Sequence, residues 1–356
     1  MQRRTFLGIL GSAAVGAAEA PIRLGMDTYS IRAFHWKDIQ LLDYAASLKL
    51  DGVQISSLND YESLEPAHLG TVKEHAERLG LAIDAGIGSI CPTSTAFNAK
   101  RGEAAAQVLE GLQVARSVGA KAMRCFLGSA AERRSKLPLE AHMEGMIKVL
   151  RSVRAQALDS GVKIAIENHN GDMEAREVRT VIEEAGKDFV GSCLDTGNPM
   201  WLMEDPLLTL ETLAPYVVTS HVRDSCVWEH PRGAAFQWVA WGDGSIDWRA
   251  FLARYRVLCP HATMHPEVIT GRPPAVLPYF DKDYWAAFPN KRASEFARFV
   301  ELARKGHPFL GTMVMAGWGK ASEALETALK EQQRTDFERS VEYAKKILGL
   351  GVRWKS

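Results

Sequence analysis

Four residues in the second half of the chain have side chains that bind hard metal ions. They are Glu167 in KIAIENHN, Asp195 in VGSCLDTGN, His221 in VVTSHVRD and Glu267 in ATMHPEVI. Each of them ends a short apolar run that has the length of a buried β-strand. Three carboxylates and one imidazole suit Mn²⁺, Mg²⁺ or Co²⁺, and Zn²⁺ is also compatible with them. The pattern therefore predicts a single divalent cation held by these four side chains.

A divalent cation at this position predicts chemistry on a carbon acid. A proton α to a carbonyl is too weakly acidic to leave at neutral pH unless the enediolate charge is stabilised, and a Lewis acid stabilises it. Two carboxylates on opposite faces of a substrate then allow removal of the proton on one face and its return on the other. We assign Glu167 and Glu267 to this acid–base role in addition to metal binding. Asp195 and His221 are assigned as metal ligands only.

Five further side chains form the predicted substrate-binding set. His169, His265 and Arg223 each lie two residues from a ligand, and so on the same face of an extended strand. They either contact the substrate or support the ligands. Asn198 and Trp241 complete the set. Trp241 belongs to an aromatic-rich connection whose rings either stack on a sugar or pack within the connection and at a subunit contact.

The elements that position these residues alternate between β-rich runs and amphipathic stretches, which is typical of βα units. The candidate strands are residues 23–28, 52–56, 82–86, 121–126, 163–167, 190–195, 217–221 and 262–267, and the candidate helices are 36–48, 67–79, 102–118, 139–158 and 320–348. Eight such units predict an α/β fold, a single-domain (β/α)₈ TIM barrel over residues 21–356. Its active site would lie at the carboxyl ends of the strands. An open, doubly wound sheet with an added C-terminal domain is the alternative. Long connections, 225–246 and 270–290, follow the last two strands.

Residues 1–20 resemble a twin-arginine-type signal peptide. Arg3 and Arg4 precede a short apolar segment that ends in small residues. Such a signal is read by the twin-arginine export machinery, which moves folded proteins. We therefore expect a periplasmic or otherwise exported protein.

Composition excludes several other functions. Lys+Arg and Asp+Glu are both 43, so the formal net charge of zero gives no basic surface for nucleic acid. The 5 cysteines are scattered and form no CxxC pair, which argues against a disulfide scaffold or a thiolate zinc site. Composition does not bear on the oligomeric state, and a homo-oligomer is left open.

The order Glu, Asp, His, Glu at the ends of strands five to eight resembles the sugar phosphate isomerase/epimerase superfamily, the xylose-isomerase-like barrels. The strings ENH, LDTGN, HVRD, GDGSIDW (242–248) and FERSVEYAKKILG (337–349) are similar to that group's motifs. The resemblance covers nearly all of the chain after residue 20. It implies a cation that chelates two adjacent oxygens of a sugar-like substrate, a carbonyl and the neighbouring hydroxyl.

Three positions depart from the ketose 3-epimerases of that group. Met173, Asn198 and Val227 stand where those enzymes carry Glu, His and Arg. The residues that grip a free ketose are therefore replaced. The extra histidines of a trinuclear zinc repair enzyme are also missing, so DNA repair is excluded.

The sequence thus predicts an isomerase or epimerase acting on a non-phosphorylated sugar or keto-sugar derivative through an enediolate. A metal-dependent lyase or dehydratase with the same first step, inosose-dehydratase-like or keto-glycoside-cleaving, is the closest alternative. A non-catalytic carbohydrate-binding barrel is the third hypothesis.

Overall fold

A computed structural model describes residues 21–316 and 322–355; the predicted signal peptide lies outside them. Seven parallel strands form one sheet in sequential order. They are β1 (Gly25–Asp27), β2 (Gly52–Ile55), β3 (Ala82–Ser89), β4 (Ala122–Phe126), β5 (Lys163–Glu167), β6 (Val190–Asp195) and β7 (Val217–His221). Most of their residues are buried on both faces, as in parallel sheets covered by helices.

An eighth extended segment, residues 264–267, closes this sheet. The backbone nitrogen of Gly25 donates to the Met264 carbonyl at 2.8 Å, and that of Glu267 donates to the Val222 carbonyl at 2.9 Å. Pro266 has no N–H to donate, so the pairing is limited to isolated parallel bridges. The segment lies between β7 and β1, which confirms the predicted barrel and excludes the open sheet.

Helices connect the strands and cover the outer face of the barrel. They are α1 (Asp38–Ser47), α2 (Pro66–Leu79), α3 (Ala104–Ser117), α4 (Leu139–Ser152), α5 (Arg154–Ser160), α6 (Ala175–Ala185), α7 (Pro206–Leu213), α8 (Trp248–Leu258), α9 (Ala293–Lys305) and α10 (Glu323–Lys346). The predicted helix 139–158 is two helices, since Val153 interrupts it with φ −105° and ψ 7°. Among the described residues, no helix is both long enough and apolar enough to span a membrane.

The two long connections, after β7 and after the eighth segment, contain regular secondary structure. They form a small antiparallel sheet of β8 (Asp224–His230), β9 (Gly233–Val239) and β10 (Ala275–Leu277). Phe236, Leu277 and Phe299 of α9 contribute to a second core beneath this sheet. The aromatic residues of these connections thus largely bury one another, and the sheet stands beside the carboxyl ends of the barrel strands.

Candidate metal centre and active site

The four predicted metal ligands converge at the carboxyl ends of their strands. One ligand atom of each of Glu167, Asp195, His221 and Glu267 lies within 4.8 Å of the others. Asp195 and His221 are direct partners in the parallel pairing of β6 with β7, so their side chains project side by side. All four residues are buried, with Glu267 the most exposed at 5%. This group is called the ligand cluster below.

The orientation of His221 tests whether the ligand cluster fits a cation. Nε2 of His221 donates to Oε1 of Gln54 and lies 3.2 Å from Oδ2 of Asp27. Nδ1 lies 3.3 Å from both Oε1 of Glu167 and Oε2 of Glu267, and it has no hydrogen-bond partner within residues 21–316 and 322–355. Burial acts to lower the pKa of His221, but the charges around it, among them the carboxylates of Asp27, Glu167 and Glu267, raise that pKa well above the ordinary value, so a proton occupies Nδ1 until a cation replaces it. A divalent cation at this point would satisfy all three groups.

Arg124 on β4 orients the carboxylate of Glu167. Its Nε donates to Oε2 of Glu167 at 2.5 Å, and the side-chain amide of Asn198 donates to Oε1 at 3.1 Å. Burial alone would raise the pKa of Glu167, but Arg124 and His221 hold it well below the usual range. Glu167 is therefore ionised and held in one orientation.

Arg223 connects the other two carboxylates. Its Nη2 donates to Oδ2 of Asp195 and to Oε2 of Glu267. Burial raises the pKa of Asp195 to about 7. At Glu267, Arg223 and His221 outweigh burial and lower the pKa to about 2. Two guanidinium groups and the imidazole of His221 thus face the three ligand carboxylates and Asp27 in this buried site.

Three predicted substrate-binding residues, His169, Asn198 and Arg223, line a pocket that opens above the ligand cluster. The ring of His169 stacks on Phe126 with centroids 3.8 Å apart, and its Nδ1 donates to the Gly128 carbonyl at 2.7 Å. A carbonyl can only accept, so Nε2 is the ring nitrogen available to a ligand. Burial lowers the pKa of His169, which keeps the ring neutral.

The other two residues of the predicted substrate-binding set, His265 and Trp241, have buried side chains that do not line this pocket. Trp241 is 2% exposed, packs on Trp248 with ring centroids 4.7 Å apart, and belongs to the barrel core. His265 is 2% exposed inside the barrel, where its Nδ1 lies 3.4 Å from Oγ1 of Thr219. His265 precedes Glu267 by two residues, so the two side chains point to the same face of the strand. They are separated by about 6.6 Å along the strand axis, which places His265 deeper in the barrel than the pocket.

Three side chains that contact the ligand cluster were not predicted from the sequence, namely Arg124, Gln54 and Asp27. Gln54 and Arg124 stand inside strands whose other residues are mainly apolar, and Asp27 ends β1. A charged or amide side chain within a buried strand must find a polar partner, and this was the available signal.

The pocket above the ligand cluster has a volume of about 1430 Å³. Trp201, Phe236 and Trp238 form one wall, and the guanidinium carbon of Arg223 lies 4.7 Å from the Trp238 ring centroid. Tyr29 and Trp36 contribute to another part of the lining. The pocket therefore combines aromatic faces with charged and amide groups, a combination that suits sugars.

A closed parallel barrel with a carboxylate–imidazole cluster at its strand ends defines a class of α/β-barrel proteins with a candidate metal site. Residues 42–256, more than half of the chain, match the family model of the xylose isomerase-like TIM barrel. The chain belongs to this family.

Individual relatives are distant. An uncharacterized protein, YihM, from Escherichia coli (strain K12) is 26% identical over 216 residues, which are 60% of this chain and 60% of the relative. The chain thus spans less than two thirds of that protein's length. A 3-oxo-isoapionate decarboxylase from Pectobacterium atrosepticum is 25% identical over 211 residues, 56% of this chain and 68% of the relative. A crystal structure of D-psicose 3-epimerase, in the presence of D-fructose, superposes with a TM-score of 0.58 at 16% identity, covering 92% of this chain and all of that one. At that identity the likeness shows the fold alone.

Proposed function

We propose that this protein is a metal-dependent isomerase or epimerase that acts on a non-phosphorylated sugar or keto-sugar derivative through an enediolate. The observation that carries the proposal is the unpartnered Nδ1 of His221, buried between the carboxylates of Glu167 and Glu267. The cofactor is one divalent ion, Mn²⁺, Mg²⁺ or Co²⁺, with Zn²⁺ also compatible.

The residues of the chain would divide the work as follows. When bound, the cation would supply Lewis-acid stabilisation of the negative charge that develops on the substrate oxygens. Glu167, ionised because Arg124 pairs with it, accepts the proton from the substrate carbon. Glu267 lies on the eighth segment, three strands away from β5, which carries Glu167, and it returns a proton to the opposite face of the substrate. Trp238 and Phe126 present apolar faces that exclude water from the reacting carbon.

His169 is the second candidate for a proton-transfer group. Its ring is neutral and lines the pocket, and its Nδ1 is held by the Gly128 carbonyl. Nε2 can therefore accept a proton from a substrate hydroxyl or carbon. This role differs from that of a ligand because it does not depend on contact with the cation.

A lyase with the same first proton abstraction is the alternative function. In that reaction the enediolate expels a substituent on the β carbon and is not reprotonated. One relative is named a 3-oxo-isoapionate decarboxylase, and because decarboxylases are lyases this relative favours the alternative class. Met173 is fully buried and Val227 belongs to the core of the small sheet, so neither position offers a polar group to a free ketose.

Hydrogen exchange at carbon tests the proposal. The protein, loaded with Mn²⁺, is incubated in D₂O with 2-keto and 3-keto sugars, and the products are examined by NMR and mass spectrometry. The proposal expects deuterium at the α position together with an isomer of equal mass apart from the label. A released fragment or water would instead identify the lyase. Absence of exchange with every sugar tested would leave a carbohydrate-binding barrel and overturn the enzymatic proposal.

A further inference from the structure

The pocket is larger than one sugar ring requires. Its volume of about 1430 Å³ exceeds the range of about 300–1,000 Å³ that is typical of small-molecule sites. The ligand cluster comes from β5, β6, β7 and the eighth segment, which together form one half of the barrel mouth. The other half, above β1, β2 and β3, also lines the pocket and contributes none of these ligands.

The half of the pocket above β1 to β3 has the side chains of a sugar-binding surface. Tyr29, which is 40% exposed, and Trp36 supply aromatic rings. The guanidinium of Arg32 covers one face of the Tyr29 ring, and Trp36 packs on Phe34 and Tyr44. Asn59 and Asp60 follow β2 and supply amide and carboxylate groups. Oδ2 of Asp60 accepts a hydrogen bond from Oγ1 of Thr28 at 2.9 Å, which orients the carboxylate. Aromatic faces beside oriented acceptors are suited to the apolar face and the hydroxyls of a sugar ring.

Gly88 near the end of β3 keeps this half of the pocket open. A Cβ built at Gly88 meets no heavy atom of the described residues within 4 Å, whereas one at Gly86 would lie 2.7 Å from the Ser56 carbonyl. Ile87 packs toward Gly111 of α3, so the neighbouring Gly88 faces the mouth of the barrel. In a ring of eight strands β3 stands opposite β7, which carries His221.

We propose that the substrate contains at least two sugar units, with the reacting unit at the ligand cluster and a second unit above β1 to β3. The inference rests on the proposed function and names its substrate class, a disaccharide or a larger glycoside. The second unit stacks on Tyr29 or Trp36 and donates hydroxyl hydrogens to Asp60. Gly88 leaves the space that this unit occupies.

Substitution of Gly88 tests this subsite without removing a catalytic group. Gly88→Leu places a branched side chain into open space on a strand, where leucine is compatible with the backbone. Gly70→Leu on α2 is the matched control, because its Cβ also meets nothing within 4 Å. Binding of glucose, cellobiose, maltose, lactose and trehalose to the Mn²⁺-loaded full chain is measured by calorimetry. Exchange in D₂O is measured with the 3-keto forms of the same sugars.

The wild-type protein should bind at least one disaccharide about tenfold more tightly than glucose. Gly88→Leu should bind the disaccharide no more tightly than glucose, while its glucose affinity and its exchange rate stay within about twofold of the wild-type values. Gly70→Leu should keep both the disaccharide preference and the glucose affinity of the wild type. The inference is overturned if no disaccharide is preferred, or if Gly88→Leu weakens glucose and disaccharide equally. A disaccharide preference without exchange on any keto sugar would sink the proposed reaction and leave the two-unit site standing.

Discussion

Gln54 on β2 accepts a hydrogen bond from Nε2 of His221 on β7, across the interior of the barrel. The amide of Gln54 is itself oriented, because its Nε2 donates to Oγ1 of Thr219 at 3.0 Å. Thr219 in turn donates to Oδ2 of Asp84 at 2.7 Å. This chain of hydrogen bonds places the His221 hydrogen on Nε2 and leaves Nδ1 for the ligand cluster.

Replacing Gln54 should therefore weaken cation binding without touching a ligand. We expect Gln54→Leu to raise the Kd for Mn²⁺ by about 10- to 100-fold, as for other side chains that orient a metal-binding histidine. Competition with a fluorescent chelator measures the affinity. Gln156→Leu, on the exposed surface of α5, is the control. Equal affinities in the two variants would show that Gln54 does not orient His221.

The number of divalent ions bound per chain should depend on the four ligand residues. Elemental analysis of purified protein should find about one divalent ion per chain, since four ligand residues converge on a single point. His221→Ala and Asp195→Ala should lose the ion while the circular dichroism spectrum is retained. If both variants kept a full complement of metal, the site assignment would be wrong.

Glu132, in the turn after β4, has a hydrogen-bonded carboxylate that should make the folding stability depend on pH in acid. Its oxygens accept hydrogen bonds from the hydroxyl of Thr95 at 2.7 Å, from the backbone nitrogens of Ser129 at 2.6 Å and Thr95 at 2.8 Å, and from the hydroxyl of Ser94 at 3.0 Å. Burial acts to raise the pKa of Glu132, but these hydrogen bonds outweigh it and lower the pKa to about 2. The folded state thus favours the ionised form.

The lowered pKa of Glu132 predicts how the free energy of unfolding changes with pH. A carboxyl with a depressed folded pKa stabilises the fold fully above its unfolded pKa of 4.5, and that contribution is lost as the pH falls toward 2. Glu132→Gln should be less stable than wild type by about 1–3 kcal/mol at pH 7. Urea unfolding from pH 7 down to about pH 3 should show that difference shrink below about pH 4.5. A difference that stayed constant with pH would point to packing and not to charge.

The strands that carry the ligands were the best predicted elements. Residues 163–167, 190–195 and 217–221 are β5, β6 and β7 without any change of boundary, because parallel strands buried on both faces are continuous apolar runs. The strand β10 was missed because it pairs with β9 across a long stretch of chain, and local periodicity carries no information on such pairing. The hairpin of β8 and β9 is local, and its residues were assigned to a connection. Spacing placed His265 on the correct face of its strand but could not give its depth, which depends on the stacked layers inside the barrel.

Arg124 shows a second limit of the sequence. A charged residue in an apolar strand indicates a buried partner, yet that partner, Glu167, lies on the neighbouring strand 43 residues away. Only the closed sheet brings the two together. The ligand cluster could be predicted because every ligand ends a strand. Gln54 and Arg124 instead come from the middle of β2 and β4, where the sequence does not mark a site.

We also propose that the chain is exported by the twin-arginine route. Changing Arg3 and Arg4 to Lys together should leave the protein in the cytoplasm at its uncleaved length, because the export receptor reads the arginine pair. Cell fractionation and immunoblotting measure the distribution. A double change of Lys49 and Lys187 to Arg, both far from residues 1–20, serves as the control. Normal delivery of the Arg3, Arg4 variant to the periplasm would contradict the proposal.

The identity of the proton-transfer group is the remaining question about the proposed reaction. Glu167 and Glu267 act in it as bases and as ligands, so a loss of activity on substitution has two explanations. Glu167→Gln and Glu267→Gln should therefore be assayed with Mn²⁺ raised to saturation, verified for each variant by direct titration. Glu184→Gln, on the exposed surface of α6, controls for the loss of a carboxylate elsewhere.

With the cation restored, each glutamine variant should still exchange the α proton about 10²- to 10⁴-fold more slowly than wild type, since removing a general base costs this much. His169→Gln tests a proton-transfer role without disturbing a metal ligand, because His169 lines the pocket and does not belong to the ligand cluster. It should keep its metal affinity, and its exchange rate should fall only modestly if the glutamates are the bases. Wild-type exchange in either glutamate variant, together with a collapse of exchange in His169→Gln, would assign proton abstraction to the histidine. Glu167 and Glu267 would then remain as ligands alone.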